Sequence, residues 1–116
     1  MRIVFMGTAT FAVPCLKSLL LAGHDVAAAF TQPDRAKGRG HHLTAGPVKL
    51  LAEEYGVPVY QPVRIKEAEY ISILKELNPE IIVVVAYGQI LPENILQLPP
   101  YGCINVHGSL LPRYRG

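Results

Sequence analysis

The sequence predicts an α/β fold, a doubly wound, Rossmann-like parallel sheet with helices on both faces. Strand-like and helix-like apolar patterns alternate along the chain, the arrangement that builds βαβ units. The segment Ile81–Ala86 is apolar throughout and β-branched at five of six positions, as expected of a central parallel strand covered on both sides. The last strand-like run, Cys103–His107, breaks at Gly108 and Ser109, at the carboxyl end where open sheets of this class place their ligands.

Taken in order, residues 2–6 form a first buried strand ending at Gly7-Thr8, and Phe11–Ala22 a helix with Ala12, Leu16, Leu19 and Leu20 on one face. Gly23 stops that helix, and Val26–Phe30 is a second apolar strand. The loop between the first strand and helix, Gly7–Ala12, has the position of a dinucleotide fingerprint but lacks its second and third glycines, which argues against a nicotinamide or flavin cofactor. From Thr31 to Gly46 nothing is periodic, and a long, glycine-rich, basic loop is expected; loops of that length in compact domains are usually functional or disordered. Pro47 suits the first position of a helix running to about Tyr55 with Val48, Leu51 and Ala52 packed inward. Val57–Tyr60 is a short strand, and Pro58 puts it near the sheet edge.

A helix from about Lys66 to Leu77 follows, with Ala68, Ile71, Leu74 and Leu77 on its buried face and Asn78-Pro79 ending it. Ile81–Ala86 comes next, then a short helix over Pro92–Leu98, then Cys103–His107. Five strands in the order 3-2-1-4-5 bring Gly7-Thr8, Tyr87-Gly88 and residues 105–109 to one crevice at the switch point. In the last strand Asn105 and His107 share a face, opposite Ile104 and Val106. Such a pair suits a polar reaction site, although an Asn and a His at a strand end are also commonly satisfied by nearby backbone groups.

Half of the 116 residues are apolar, which fits one globular domain, yet a complete doubly wound domain usually needs more chain, so the sheet is expected to be incomplete at its carboxyl end. No apolar run approaches a membrane span, and Met1-Arg2-Ile3-Val4-Phe5 reads as a strand rather than a signal peptide; a cytosolic protein without a membrane partner is expected. Cys15 and Cys103 stand alone, without redox or metal-ligand spacing, and are expected to be buried thiols. His41-His42 has no partner cluster, and no metal site is expected. The net charge of +2 hides a concentration: residues 34–49 carry +3, Arg113 and Arg115 add two more, and the remainder is mildly acidic. A basic patch on an acidic body is the footprint of an anionic partner such as nucleic acid, as well as a plain solubilising loop.

The run Ile104–Gly116 (INVHGSLLPRYRG) resembles the signature of the folate-dependent formyltransferases. Thr31–Gly40 (TQPDRAKGRG), Pro47-Val-Lys49 and Val84-Val-Ala-Tyr-Gly88 resemble specifically the methionyl-tRNA formyltransferases within that group. The likeness runs the whole length, and it implies that residues 1–116 are the amino-terminal part of the catalytic domain, with the carboxyl-terminal tRNA-binding domain outside the sequence. It implies a cytoplasmic enzyme of translation initiation, moving a formyl group from 10-formyltetrahydrofolate to the amino group of methionyl initiator tRNA. Asn105 and His107 are the implied catalytic pair. Ala86, Tyr87, Gly88, Gln89, Ile90 and Leu91 are the implied pterin slot, flanked by Ser109, Leu110, Leu111 and Pro112, and Arg35, Lys37 and Arg39 the implied tRNA contacts.

Formyl transfer to an amine passes through a tetrahedral intermediate with a negative oxygen, which needs a hydrogen-bond donor aimed at it and a route for a proton; an Asn and a His two residues apart supply both. The family's third group, an aspartate beyond the histidine, has no counterpart here: Asp25 and Asp34 match nothing in that role. The complete enzyme is expected to be a monomer, and the 116-residue piece alone to be inactive and prone to self-association. Other acceptors (glycinamide ribonucleotide, an amino sugar, water) keep the same chemistry, and a non-catalytic α/β nucleotide-binding module is the contrasting class.

Overall fold

A computed structural model of the chain describes residues 1–37 and 42–106. Of the predicted site residues, Arg39, His107, Ser109, Leu110, Leu111 and Pro112 lie outside that range.

The apolar segments become five parallel strands: β1 (Arg2–Gly7), β2 (Asp25–Phe30), β5 (Val59–Tyr60), β6 (Ile81–Val85) and β7 (Cys103–Val106). Their order across the sheet is β5-β2-β1-β6-β7, with every neighbouring pair parallel, which is the predicted third-second-first-fourth-fifth arrangement. The helices are α1 (Val13–Leu21), α2 (Pro47–Glu54), α3 (Ala68–Leu77) and α4 (Glu93–Leu96), with a short 3-10 turn over Thr10–Ala12.

Two cores follow from the alternation of side chains along the strands. Ile3 and Phe5 of β1 and Val83 and Val85 of β6 pack with Leu16, Val48, Leu51 and Ala52 from α1 and α2. Val4, Met6, Ile82 and Val84 face the other way, onto Leu74 of α3 and Ile95 of α4. The register between β1 and β2 skips at Ile3/Val4, so that Val26 joins the first core while Ala28 joins the second; without that irregularity residues two apart would share a face.

Several expectations change in detail. Phe11–Ala22 is a 3-10 turn followed by a helix from Val13, with Pro14 in the first turn, where its missing N–H costs nothing. Ala68 is exposed at the start of α3, and the partly buried residues of that helix against the core are Tyr70, Ile71, Ile73 and Leu77 around Leu74. The thiols of Cys15 and Cys103 are half-buried rather than buried. The segment 31–46 is not wholly loop: β3 (Arg35–Lys37) and β4 (His42–Thr44) pair antiparallel as a separate hairpin. It stands off the core, with Leu43 73% exposed, so its residues carry none of the apolar alternation by which strands are read from sequence.

Candidate functional site

At the carboxyl edge of the sheet, the chain after β6 makes an abrupt turn. Ala86 is left-handed (φ 50°), an uncommon conformation for a residue with a Cβ, and Gly88 has φ 100°. The turn is held because the Ala86 carbonyl accepts from the Thr8 and Ala9 N–H groups (3.0 and 3.4 Å), across the end of β1. Thr8 Oγ1 donates to the Tyr87 carbonyl (2.7 Å) and accepts from the Gln32 N–H (3.2 Å). Strain of this kind persists only where the surroundings over-determine it, and it gathers at functional sites.

A belt of side-chain amides extends this anchoring over the strand ends. Gln89 Nε2 donates to Gln32 Oε1 (2.7 Å) and the Pro62 carbonyl (2.9 Å), and Gln89 Oε1 accepts from the Ile65 N–H (2.7 Å). Gln61 Nε2 donates to Asp34 Oδ1 (2.7 Å) and the Gln32 carbonyl (3.3 Å), and Lys49 Nζ donates to Asp34 Oδ2 (2.9 Å). The Lys49 ammonium, followed by the Gln61 amide, holds the Asp34 carboxyl below its ordinary range.

Two cavities open on either side of this belt. One, of about 390 Å³, lies between the β1 and β2 ends and the base of the hairpin, lined by Thr8, Ala9, Thr10, Thr31, Gln32, Pro33, Asp34, Arg35, Thr44, Gly46 and Pro47. The other, of about 340 Å³, lies between the β6 and β7 ends, lined by Val84, Gln89, Ile90, Leu91, Leu96, Cys103 and Asn105. The pairing of Asn105 with Cys103 on this cavity, while Val106 packs in the opposite core, agrees with the predicted alternation along β7. Among the described residues the Asn105 side-chain amide makes no hydrogen bond. Ile90, from the implied pterin slot, is 94% exposed at the cavity rim.

The predicted residues thus fall into groups. Gln89, Ile90, Leu91 and Asn105 share the second cavity. Arg35 lines the first and makes no ion pair among the described residues; Lys37 lies on the same short strand. Ala86 and Gly88 shape the turn, and Tyr87 is fully buried, with an Oη that has no partner among the described residues. Burial, with a smaller contribution from Tyr70, pushes the Tyr87 hydroxyl above its ordinary range. Burial also raises the Cys103 thiol. Sequence inspection missed the roles of Thr8, Gln32, Gln61 and Asp34, whose partners lie 15 to 79 positions away. Only Asp34 left a signal, as the lone acidic residue of a basic segment. Among the described residues there is no group of three or more His, Cys, Asp or Glu suited to a metal, and no helix long and apolar enough to cross a membrane.

The family profile described as formyl transferase matches residues 1–116. The chain belongs to the formyl transferase family. Among its relatives are proteins named methionyl-tRNA formyltransferase from Pelotomaculum thermopropionicum, 60% identical over the whole chain, and from Caldanaerobacter subterraneus, 62% identical. The chain spans 37% and 38% of the length of these two relatives. A crystal structure of phosphoribosylglycinamide formyltransferase from Anaplasma phagocytophilum superposes with a TM-score of 0.65 at 24% identity, covering all of this chain and 53% of that one, which shows a shared fold. In this formyl transferase chain, the α/β sheet places Asn105 at the mouth of a cavity beside β6.

Proposed function

We propose that the complete protein carrying this sequence transfers a formyl group from 10-formyltetrahydrofolate to the amino group of methionyl initiator tRNA, in the cytoplasm, with residues 1–116 forming the amino-terminal part of its catalytic domain. The observation that carries this reading is Asn105, uncommitted among the described residues at the edge of an apolar cavity rimmed by Ile90 and Leu91. A flat heterocycle needs an apolar slot edged by main-chain donors and acceptors, which the turn over Ala86–Leu91 and the segment Ser109, Leu110, Leu111 and Pro112 supply in this reading.

The donor formyl carbon is attacked by the lone pair of the acceptor amine. The carbonyl electrons move onto oxygen, where the Asn105 N–H stabilises the negative charge. His107 takes the proton lost by the amine and returns one to the folate nitrogen as its bond to carbon breaks. Arg35, Lys37 and Arg39 receive the acceptor end of the tRNA, since guanidinium groups match phosphates and base edges. The relatives' name favours this acceptor, and a small acceptor would not need the basic residues Arg35 and Lys37 of β3.

The test is formyl transfer by the complete protein with 10-formyltetrahydrofolate and, in parallel, methionyl-tRNA, glycinamide ribonucleotide, an amino sugar or water alone. Formyl-methionyl-tRNA is expected as the dominant product. Preferential formylation of either small acceptor, or release of free formate, would replace the acceptor assignment; absence of any folate-dependent reaction would remove the catalytic one.

A further inference from the structure

Asp34 is a puzzle for a cavity offered to an anion. Its carboxylate lines the same cavity as Arg35, where it opposes a phosphate. Yet neither oxygen is idle: Oδ2 accepts from Lys49 and Oδ1 from Gln61, at 2.9 and 2.7 Å. Asp34 directly precedes β3, and Lys49 is the third residue of α2, just beyond the hairpin's return strand. The ion pair therefore closes the base of the whole excursion over residues 35–48. Its two side chains are only 24% and 19% exposed, so it is screened less than a fully exposed pair. Gln61, donating also to the Gln32 carbonyl, ties this closure to the amide belt that frames the second cavity.

Charge selection strengthens the point. Arg35 is the immediate neighbour of Asp34, but it makes no ion pair among the described residues, and the carboxylate spends its charge on Lys49 instead. Among the described residues the Arg35 guanidinium is left without a carboxylate partner on the cavity wall.

We propose that Asp34 is a positioning residue for the acceptor: with Lys49 and Gln61 it clasps the base of the basic hairpin and holds Arg35 over the cavity. This rests on the reading of tRNA as acceptor. In the complete protein, Asp34→Ala raises KM for methionyl-tRNA by about tenfold, with kcat at saturation and KM for 10-formyltetrahydrofolate close to wild type. Lys49→Met moves the same parameter in the same direction, and the double variant is no worse than the more impaired single one, because both remove one clasp. The hairpin is read separately by limited trypsin digestion of the folded protein: cleavage after Arg35 and Lys37 accelerates in either variant, and melting temperature reports that the core is intact.

A lower or unchanged tRNA KM in Asp34→Ala overturns the proposal, since a carboxylate that merely repels the acceptor should improve binding when removed. Unchanged trypsin cleavage of the hairpin overturns it as well. A wild-type protein that uses no methionyl-tRNA overturns the acceptor reading instead, a result distinct from a normal wild type with an unmoved variant.

Discussion

The two edges of the one sheet spend their polar side chains differently. At the amino edge, Arg2 Nη1 donates to Asp25 Oδ2 and Nε to the Leu77 carbonyl, both at 2.6 Å, while the Arg2 N–H donates to Glu80 Oε1 at 2.7 Å. These contacts join β1 to β2, to the last residue of α3 and to Glu80 just before β6. At the carboxyl edge, amides and hydroxyls of Thr8, Gln32, Gln61 and Gln89 bond to one another, to main chain and to the Lys49-paired Asp34, and the residues they frame, Asn105 and Arg35, stay uncommitted among the described residues. The difference separates polarity that is used up within the fold from polarity that, among the described residues, stays unspent beside a cavity.

The sharpest way to break that contrast is Asn105→Ala in the complete protein. Turnover in formyl transfer is expected to fall at least about a hundredfold, the usual loss for an oxyanion donor, with melting temperature and folate affinity retained. Near-normal turnover with an intact fold would return Asn105 to the structural group. His107→Ala is expected to act similarly through lost proton transfer.

Next in size is a purely structural effect beside the site. A Cβ at Gly7 would sit 2.7 Å from the Val85 carbonyl and 2.9 Å from the Ala12 Cβ, contacts that only backbone movement relieves. Gly7→Ala should therefore destabilise by about 1 to 3 kcal/mol, measured by thermal or denaturant unfolding. A stability within error of wild type would show that the close packing of β1, β6 and the 3-10 turn is not required.

How far these two edges were legible in the sequence differs for physical reasons. Ile81–Val85 announced its central place because burial on both faces leaves no room for polar residues, and the strand order followed from short connections and handedness. That Cys103 and Asn105 share a face was legible because β7 alternates, while the role proposed for Asn105 came from the resemblance of the run that follows it. The hairpin of β3 and β4 was missed because it buries little, and the Gln32–Gln89 bond because its partners are 57 positions apart with nothing local to mark them. The left-handed turn at Ala86 was invisible too, since an alanine gives no sign of a conformation that glycine usually supplies.

At the amino edge, Arg2→Met should cost about 1 kcal/mol or less, the Asp25 pair being largely exposed and screened, and should leave turnover unchanged. A kinetic defect without a stability loss would contradict the division of the two edges. The smallest expected effect is a pH dependence at the hairpin base. The Asp34 carboxyl lies below its ordinary value of 3.8, so its contacts add stability above that value and lose it as pH falls through the lowered one. The melting-temperature gap between wild type and Asp34→Asn should accordingly be present at neutrality and close below pH 3.8. A gap that widens on acidification would reverse the sign.

The most direct test of the division of labour at the carboxyl edge is the pair of Michaelis constants, for 10-formyltetrahydrofolate and for methionyl-tRNA, in Ile90→Asp and Arg35→Ala of the complete protein. Ile90 rims one cavity and Arg35 the other, and neither side chain is needed to fill the core. The expected result is crossed: Ile90→Asp raises the folate constant about tenfold and leaves the tRNA constant alone, and Arg35→Ala does the reverse. Both constants moving together in both variants would contradict two separate sites for donor and acceptor.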